Sequence, residues 1–161
     1  MQEFVPMDAT DIEILAALQA DGRMTNRDLG QLVNLSEAAC SRRVSDLVRT
    51  GTIRRFTAEI NPDAVGLGLR VCLLVRMKAT SDDELDAFEK AVQLTPTIVR
   101  CHKLLGEIDY LMLVVAKDLT EFDKIYKEHV LQLPGVDRTT SLAALSNVKV
   151  GLQLPTQMMK T

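Results

Sequence analysis

The sequence predicts an α+β protein, with an N-terminal winged helix-turn-helix domain and a C-terminal ferredoxin-like domain of order β-α-β-β-α-β. In residues 8–57, apolar side chains recur at helical spacing behind capping residues. In residues 69–150, segments of two-residue periodicity alternate with two capped helices. Between them, residues 58–68 contain Pro62 and two glycines, which is typical of a linker. We therefore place the two domains at 1–57 and 69–161.

Three helices are predicted in the first domain. Asp8 is suited to cap the first helix and Thr25 the second, because their side-chain oxygens can accept the free N–H groups of a first turn. Ser36 follows a tight turn and caps a third helix from about 37 to 49, which stops near Gly51. Two helices joined by a three-residue turn predict a helix-turn-helix, and a plain helical hairpin is the alternative.

The third helix has an apolar side, formed by Cys40, Val44, Leu47 and Val48, and a polar side rich in serine and arginine. Net charge is −3 over the chain, but residues 36–57 hold five arginines against two acidic residues. Arginine can pair with guanine or phosphate, so this side suits a DNA major groove; a solvated helix face is the alternative. The predicted DNA-binding residues are Ala38, Ser41, Arg42, Arg43, Ser45 and Arg49, with Arg54 and Arg55 on a short wing strand over 52–57.

The second domain is organised around a hairpin whose turn lies at 106–109. Its second strand, 110–116, is apolar on both faces, so both faces must be covered. A first strand over 69–78, a flanking strand over 98–105 and a last strand over 136–145 complete the predicted sheet. The two helices cover one face of this sheet, so we expect the other face to pack against a second copy of the chain.

Several functional classes are excluded by the sequence. No apolar run approaches the roughly 18 residues of a membrane span, and no secretion signal is recognisable. The three cysteines are far apart, which indicates a reducing cytoplasm. His102 and His129 lack metal-ligand spacing, and no nucleophile or phosphate-loop motif occurs. We therefore expect neither an enzyme nor a cofactor.

The chain resembles the Lrp/AsnC family of leucine- and asparagine-responsive regulators over roughly residues 8–155. The residues that carry the resemblance are Asp11-Ile12-Glu13-Ile14-Leu15, Leu18-Gln19-Ala20-Asp21-Gly22-Arg23, Leu35-Ser36, Cys40, Arg43-Val44, Gly51-Thr52-Ile53, Gly106-Glu107-Ile108-Asp109-Tyr110 and Leu133-Pro134-Gly135-Val136. The resemblance implies a DNA-binding transcriptional regulator whose second domain, of the RAM or ACT type, binds a small molecule.

The resemblance also implies an amino-acid effector bound between dimers, beside the turn at 106–109. Backbone N–H groups of Gly106 and Glu107 would hold its carboxylate, and Asp109 its ammonium. The predicted effector-binding residues are Val71, Lys103, Gly106, Glu107, Asp109, Tyr110, Leu131, Thr139, Thr140, Leu142 and Ala144. Dimers of the family assemble further, commonly into octamers, so the expected partners are double-stranded DNA, an amino acid and further copies of the chain.

Two alternatives remain open. A DNA-organising protein without ligand control would bind DNA broadly, with steep salt dependence. An enzyme similar to the sirohaem decarboxylases would share the fold, but would bind a coloured tetrapyrrole and would use histidines that this chain hardly supplies.

Overall fold

In the computed structural model, the described residues are 7–78, 81–149, 151 and 153–158, and they divide into two units. The first unit contains residues 7–59 together with residues 149, 151 and 153–158, which we call the tail segment. The second unit contains residues 60–78 and 81–148. The tail segment was predicted to belong to the second domain, whereas its described residues cluster with the first. The outer ends of the predicted domains, 1–6 and 159–161, lie outside the described residues.

Three helices form the framework of the first unit, and each begins where the sequence predicts. They are α1 (Ala9–Ala20), α2 (Asn26–Leu32) and α3 (Glu37–Arg49). The Asp8 carboxylate accepts the N–H of Asp11 at 2.9 Å, while the Asp11 side chain accepts the N–H of Asp8, which completes a capping box. The Thr25 and Ser36 hydroxyls cap α2 and α3 by accepting the N–H groups of Asp28 and Ala39. These caps confirm the predicted helix starts.

The core of the first unit is formed by one side of each helix, including Ile14, Leu29, Cys40 and Leu47. Val48 was predicted to belong to this core but is 44% exposed. At about 100° per residue it lies about 80° around the helix from Cys40, at the margin of the apolar side.

The predicted wing strand over 52–57 is not formed within the described chain. The N–H of Ile53 donates to the carbonyl of Leu47, and residues 54–60 then run exposed without secondary structure. A strand needs a partner for its backbone groups, and no other described segment pairs with this one. Within the predicted linker, Asp63–Val65 forms one 3-10 turn that ends at Gly66 in the left-handed conformation.

The second unit is a four-stranded antiparallel sheet with two helices, and it confirms the predicted order. Its elements are β1 (Leu69–Met77), α4 (Asp82–Gln93), β2 (Ile98–Lys103), β3 (Tyr110–Ala116), α5 (Leu119–Glu128) and β4 (Val136–Ala143). The strands are arranged β2-β3-β1-β4, with β3 and β1 in the centre. Strands β2 and β4 are each two residues shorter at their ends than the sequence predicts.

The helices cover one face of this sheet. Alternate residues of β1 and β3 are buried against α4 and α5, and Phe88 meets Tyr110 with ring centroids 4.5 Å apart. The opposite face, which we call the open face, is formed by the intervening residues of the same strands. Its apolar centre consists of Cys72, Leu74, Leu111, Leu113, Val115 and Leu142, and Leu142 is 51% exposed. The expected arrangement, with one covered face and one bare face, is therefore present.

Candidate nucleic-acid interface and effector site

The polar residues predicted on α3 share one side of that helix. Ala38, Arg42, Ser45 and Arg49 are exposed, and Ser41 is half-buried. Together they span an arc of about 100° at 3.6 residues per turn, directly opposite the buried side that contains Cys40 and Leu47. We call this arc the α3 polar face. Its composition of small side chains, hydroxyls and guanidinium groups fits an elongated groove.

The two outer arginines of the α3 polar face differ in their local partners. Arg49 forms an ion pair of 3.0 Å with Asp46, and both side chains are more than half exposed. Such surface pairs contribute little, so the pair leaves Arg49 able to rearrange. For Arg42, no carboxylate of the described residues lies within ion-pair distance. Its guanidinium is therefore available to an external acceptor.

Arg43 has a different environment, although it was predicted to bind DNA with its neighbours. Its guanidinium lies 2.8 Å from a carboxylate oxygen of Asp8 and 2.8 Å from one of Asp11, and its side chain is 33% exposed. Hydrogen bonds to Asp11, and next to Asp8, raise the pKa of Arg43. The hydrogen bond from the backbone N–H of Asp11 lowers the pKa of Asp8 most, and the bond from Arg43 lowers it further. Arg43 therefore fastens α3 to the capping box of α1, and two carboxylates already offset its charge.

Arg54 and Arg55, predicted on the wing, are exposed in the extended segment after α3. Their charge is presented to solvent, but no strand of the described chain fixes their direction.

The turn at 106–109 is anchored to β1 through Asp109. One carboxylate oxygen, Oδ2, accepts the N–H of Met77 at 2.8 Å. The backbone N–H of Asp109 donates to the carbonyl of Val75, and its carbonyl accepts the N–H of Leu104. Gly106 has φ 151°, a conformation that favours glycine, and nothing lies within 4 Å of the position of an added Cβ. Asp109, which was predicted to bind the ammonium group of the effector, is therefore also the residue that holds the turn in place. Its Oδ2 atom makes the contact with Met77, and Oδ1 is its other carboxylate oxygen.

A second anchor of the turn is Glu89 on α4, which the sequence analysis did not identify. Its Oε1 accepts the Tyr110 hydroxyl at 2.8 Å and the Lys103 ammonium at 3.2 Å. The hydrogen bond from Tyr110 lowers the pKa of Glu89 most, followed by the bond from Lys103. Burial, followed by the hydrogen bond to Glu89, raises the pKa of Tyr110. Glu89 lies four residues after Leu85 on the inner side of α4, and an acid on that side was the signal that could have identified it.

The predicted effector-binding residues divide between the faces of the sheet. Val71 and Tyr110 are 2% and 1% exposed and belong to the core under the helices, so in one chain neither side chain lies at a surface open to a ligand, unlike the prediction. Strand alternation is the reason, because both lie on the helix-covered side. The Thr139 hydroxyl contacts that of Tyr126 at 2.6 Å on that same side.

The remaining predicted effector residues are at the surface. Thr140 and Leu142 lie opposite Leu74 and Cys72 on the open face. The exposed residues of the set outside β4 are Lys103, Gly106, Glu107, Leu131 and Ala144. One chain therefore brings together the turn residues and Lys103, but does not enclose a pocket from the whole set.

The described residues contain no cluster of three or more histidine, cysteine, aspartate or glutamate side chains placed to hold a metal ion. His102 and His129 are both exposed. No helix in the described parts of the chain combines the length and apolar character needed to cross a membrane.

Comparison with protein families places known domains on both units. Residues 7–48 match the AsnC-type helix-turn-helix domain, and residues 70–154 match the Lrp/AsnC ligand binding domain. The chain is also 35% identical over 143 residues to the leucine-responsive regulatory proteins of Klebsiella pneumoniae and Escherichia coli. These alignments cover 89% of this chain and 87% of each relative.

Solved structures show the same likeness. A transcriptional regulator from Neisseria meningitidis in complex with L-Met is 34% identical, with a TM-score of 0.87, and the match covers 92% of this chain and 96% of that one. An AsnC family transcriptional regulator from Agrobacterium tumefaciens is 31% identical, with a TM-score of 0.89 over 95% of this chain and 99% of that one.

Proposed function

Because the chain belongs to the Lrp/AsnC family of transcriptional regulators, with a helix-turn-helix domain and a ligand-binding domain, we propose specific roles for its two surfaces. The α3 polar face enters the DNA major groove, and the second unit binds an amino acid beside the turn at 106–109. A family of DNA-binding transcriptional regulators points to a function other than catalysis. The proposal places the protein in the cytoplasm, with DNA and free amino acids.

The α3 polar face is the observation that carries the DNA-binding part. It joins exposed Arg42 and Ser45 on the side of α3 that the core leaves free. Arg42 reads a base edge or a phosphate, and Arg54 and Arg55 supply phosphate contacts that give affinity without sequence choice.

Arg42→Ala tests this role. The affinity for a DNA fragment selected from a random pool by the wild-type protein should fall by about 1–3 kcal/mol if Arg42 contacts a base. Fluorescence anisotropy measures the affinity, and light scattering checks that the assembly is unchanged. Lys124→Ala removes an exposed positive charge from α5 and serves as the matched control. Equal affinities of Arg42→Ala and the wild type would show that another side of the helix contacts DNA.

An amino-acid effector is supported by the L-Met complex of the similar Neisseria meningitidis regulator and by the matched ligand-binding domain. In our proposal, the N–H groups of Gly106 and Glu107 bind the ligand carboxylate. The Oδ1 atom of Asp109 accepts its ammonium, because Oδ2 already accepts the N–H of Met77. Lys103, Leu131 and β4 border the ligand side chain.

Asp109→Asn tests the effector site without removing the anchor of the turn. An asparagine oxygen can still accept the Met77 N–H, but it no longer attracts an ammonium with a full charge. A thermal-shift screen of the twenty amino acids should give one or more stabilising ligands for the wild type, since a ligand of the folded state raises the melting temperature. We expect Asp109→Asn to keep the ligand-free melting temperature and to lose that shift.

An unchanged shift in Asp109→Asn would remove Asp109 from the site. If no amino acid stabilises the wild type while DNA binding persists, a DNA-organising protein without ligand control becomes the better explanation.

Assembly completes the proposal. The open face of the second unit packs against the same face of a second copy, and the resulting dimers associate further, commonly to octamers in the family. A ligand between dimers favours one assembly only by its differential affinity for the assemblies. The favoured assembly sets the spacing of the DNA-binding units and so selects the DNA sites that they can occupy together.

A further inference from the structure

The tail segment is fastened to α1 by reciprocal hydrogen bonds with Gln19. The Nε2 atom of Gln19 donates to the carbonyl of Leu154 at 3.2 Å, and its Oε1 accepts the N–H of the same residue at 2.7 Å. In return, Nε2 of Gln153 donates to the backbone carbonyl of Gln19 at 3.1 Å. We call these three residues the latch. The contact joins positions 135 residues apart. The Gln19 side chain pairs with both the N–H and the carbonyl of Leu154, as the backbone of a neighbouring β-strand does.

The latch consists of exposed hydrogen bonds, which can break and form again. All three hydrogen bonds are at exposed positions, where water can replace either partner. Leu154 remains 66% exposed, and a cleft of about 430 Å³ is lined by residues of both α1 and the tail, including Ala16, Gln19 and Pro155. Directional polar contacts therefore hold the tail, with little apolar burial to fix it permanently.

The chain connects the latch closely to the second unit. The tail follows β4, and the N–H of Ala144 still donates to the carbonyl of Arg70 on β1. From Ala144 to Gln153 the chain advances nine positions, which span at most about 30 Å when extended. With the latch closed, the first unit is restrained by this connection as well as by the segment after α3. With the latch open, only the latter remains.

The helix that receives the latch also positions α3. Asp8 and Asp11 at the start of α1 hold Arg43 of α3, next to Arg42 on the α3 polar face. A restraint on α1 can therefore affect the α3 polar face through the ion pairs of Arg43.

We propose that the latch of Gln19, Gln153 and Leu154 couples effector binding in the second unit to DNA binding by the first. The coupling element is this chain's own tail segment, whose position on α1 changes when β4 and the turn at 106–109 take up an amino acid. This inference rests on the proposed function, because it presumes an amino-acid effector at the second unit. Beside the control through assembly, it adds an element within one chain through which that effector acts.

Gln19→Ala tests the latch in the full-length protein. It removes both side-chain bonds to Leu154 but preserves helix propensity. Glu13→Ala is the matched control, since Glu13 is an exposed α1 residue. Affinity for the selected DNA fragment is measured without ligand and with saturating L-leucine, L-methionine and each other amino acid. Amide hydrogen exchange of α1 and of residues 153–158 is followed in parallel.

The latch predicts faster exchange of residues 153–158 in Gln19→Ala and not in Glu13→Ala. It also predicts that the factor by which the effector changes DNA affinity falls at least threefold in Gln19→Ala, while effector binding is retained. Unchanged exchange overturns the latch itself, and a full effector response in Gln19→Ala overturns its coupling role alone. A wild-type protein whose DNA affinity responds to no amino acid contradicts the proposed effector control, and the coupling role with it.

Discussion

Arg42 and Arg43 show how adjacent residues of one type can have different surroundings. Arg43 pairs through Nη1 with Asp8 and Asp11, and these contacts hold α3 against α1. Arg42 has no described carboxylate at ion-pair distance and faces solvent with Ser45. A count of basic residues on α3 therefore overstates the positive charge that is free to meet DNA. The contacts of each guanidinium show which arginines are already paired within the chain.

At the same scale, Glu89 is predicted to stabilise the second unit. In Glu89→Ala the nearly buried Tyr110 hydroxyl and the Lys103 ammonium lose their shared acceptor, which should cost about 1.5 kcal/mol in the free energy of unfolding. Urea denaturation at pH 7 measures the loss. Asp86→Ala, at an exposed position of α4, is the control and should change little.

The Glu89 effect should depend on pH. The folded protein holds the pKa of Glu89 below its ordinary value of 4.5, so its charged form stabilises the fold. That contribution is complete well above 4.5 and is lost as pH falls through the lower, folded-state pKa. The stability difference between wild type and Glu89→Ala should therefore shrink on acidification from pH 7 toward pH 3. A difference that is constant over this range would show that charge is not involved.

At the scale of elements, the turn between α2 and α3 depends on Gly30. A Cβ added there would lie 2.7 Å from the carbonyl oxygen of Leu35, a backbone atom that cannot move alone. We expect Gly30→Ala to destabilise the first unit by about 1–3 kcal/mol despite the better helix propensity of alanine. Gly22→Ala is the matched control, because its Cβ would meet Leu18 at an ordinary 3.7 Å. Thermal unfolding of both variants measures the effect. Equal melting temperatures would contradict the close approach of residue 30 to the carbonyl oxygen of Leu35.

Helix starts could be predicted from the sequence because caps are local. Asp8, Thr25 and Ser36 each bond an N–H three residues ahead, so composition and spacing contain the information. The order of strands and helices along the chain could be predicted from alternation and capping residues, and the structure confirms it. Strand 110–116 is apolar on both faces, from which we expected a cover on each, and its alternating burial shows one face more deeply buried than the other.

Features that depend on distant partners could not be predicted in this way. The wing strand lacks a pairing segment in the described chain, so its extended sequence was not sufficient. Arg43 meets a carboxylate 32 positions away, and Gln19 meets the tail 135 positions away. For the candidate effector site, local sequence located the turn but could not show that Val71 is buried under the helices.

At the scale of the whole molecule, the open face predicts how the protein assembles. Leu113 lies near its centre, paired with Cys72 across β1 and β3. Leu113→Glu places a charge that would lose its hydration in a face-to-face contact, so the mass measured by light scattering should fall to that of one chain. Leu94→Glu is the control, because Leu94 is 83% exposed beyond the end of α4 and outside the open face. A retained oligomer in Leu113→Glu would show that another surface joins the subunits.

The placement of the three free cysteines gives the chain built-in chemical reporters. Cys40 has no exposed surface in the core of the first unit, and burial raises the pKa of its thiol, so a thiol reagent reaches it only when that unit opens. Cys72 is half-buried on the open face, where a second copy would shield it. The labelling rate at Cys40 therefore reports how often the first unit opens, and slow labelling at Cys72 would report a second copy on the open face. Both rates are measured with a thiol reagent on the natural sequence, so no engineered residue is needed.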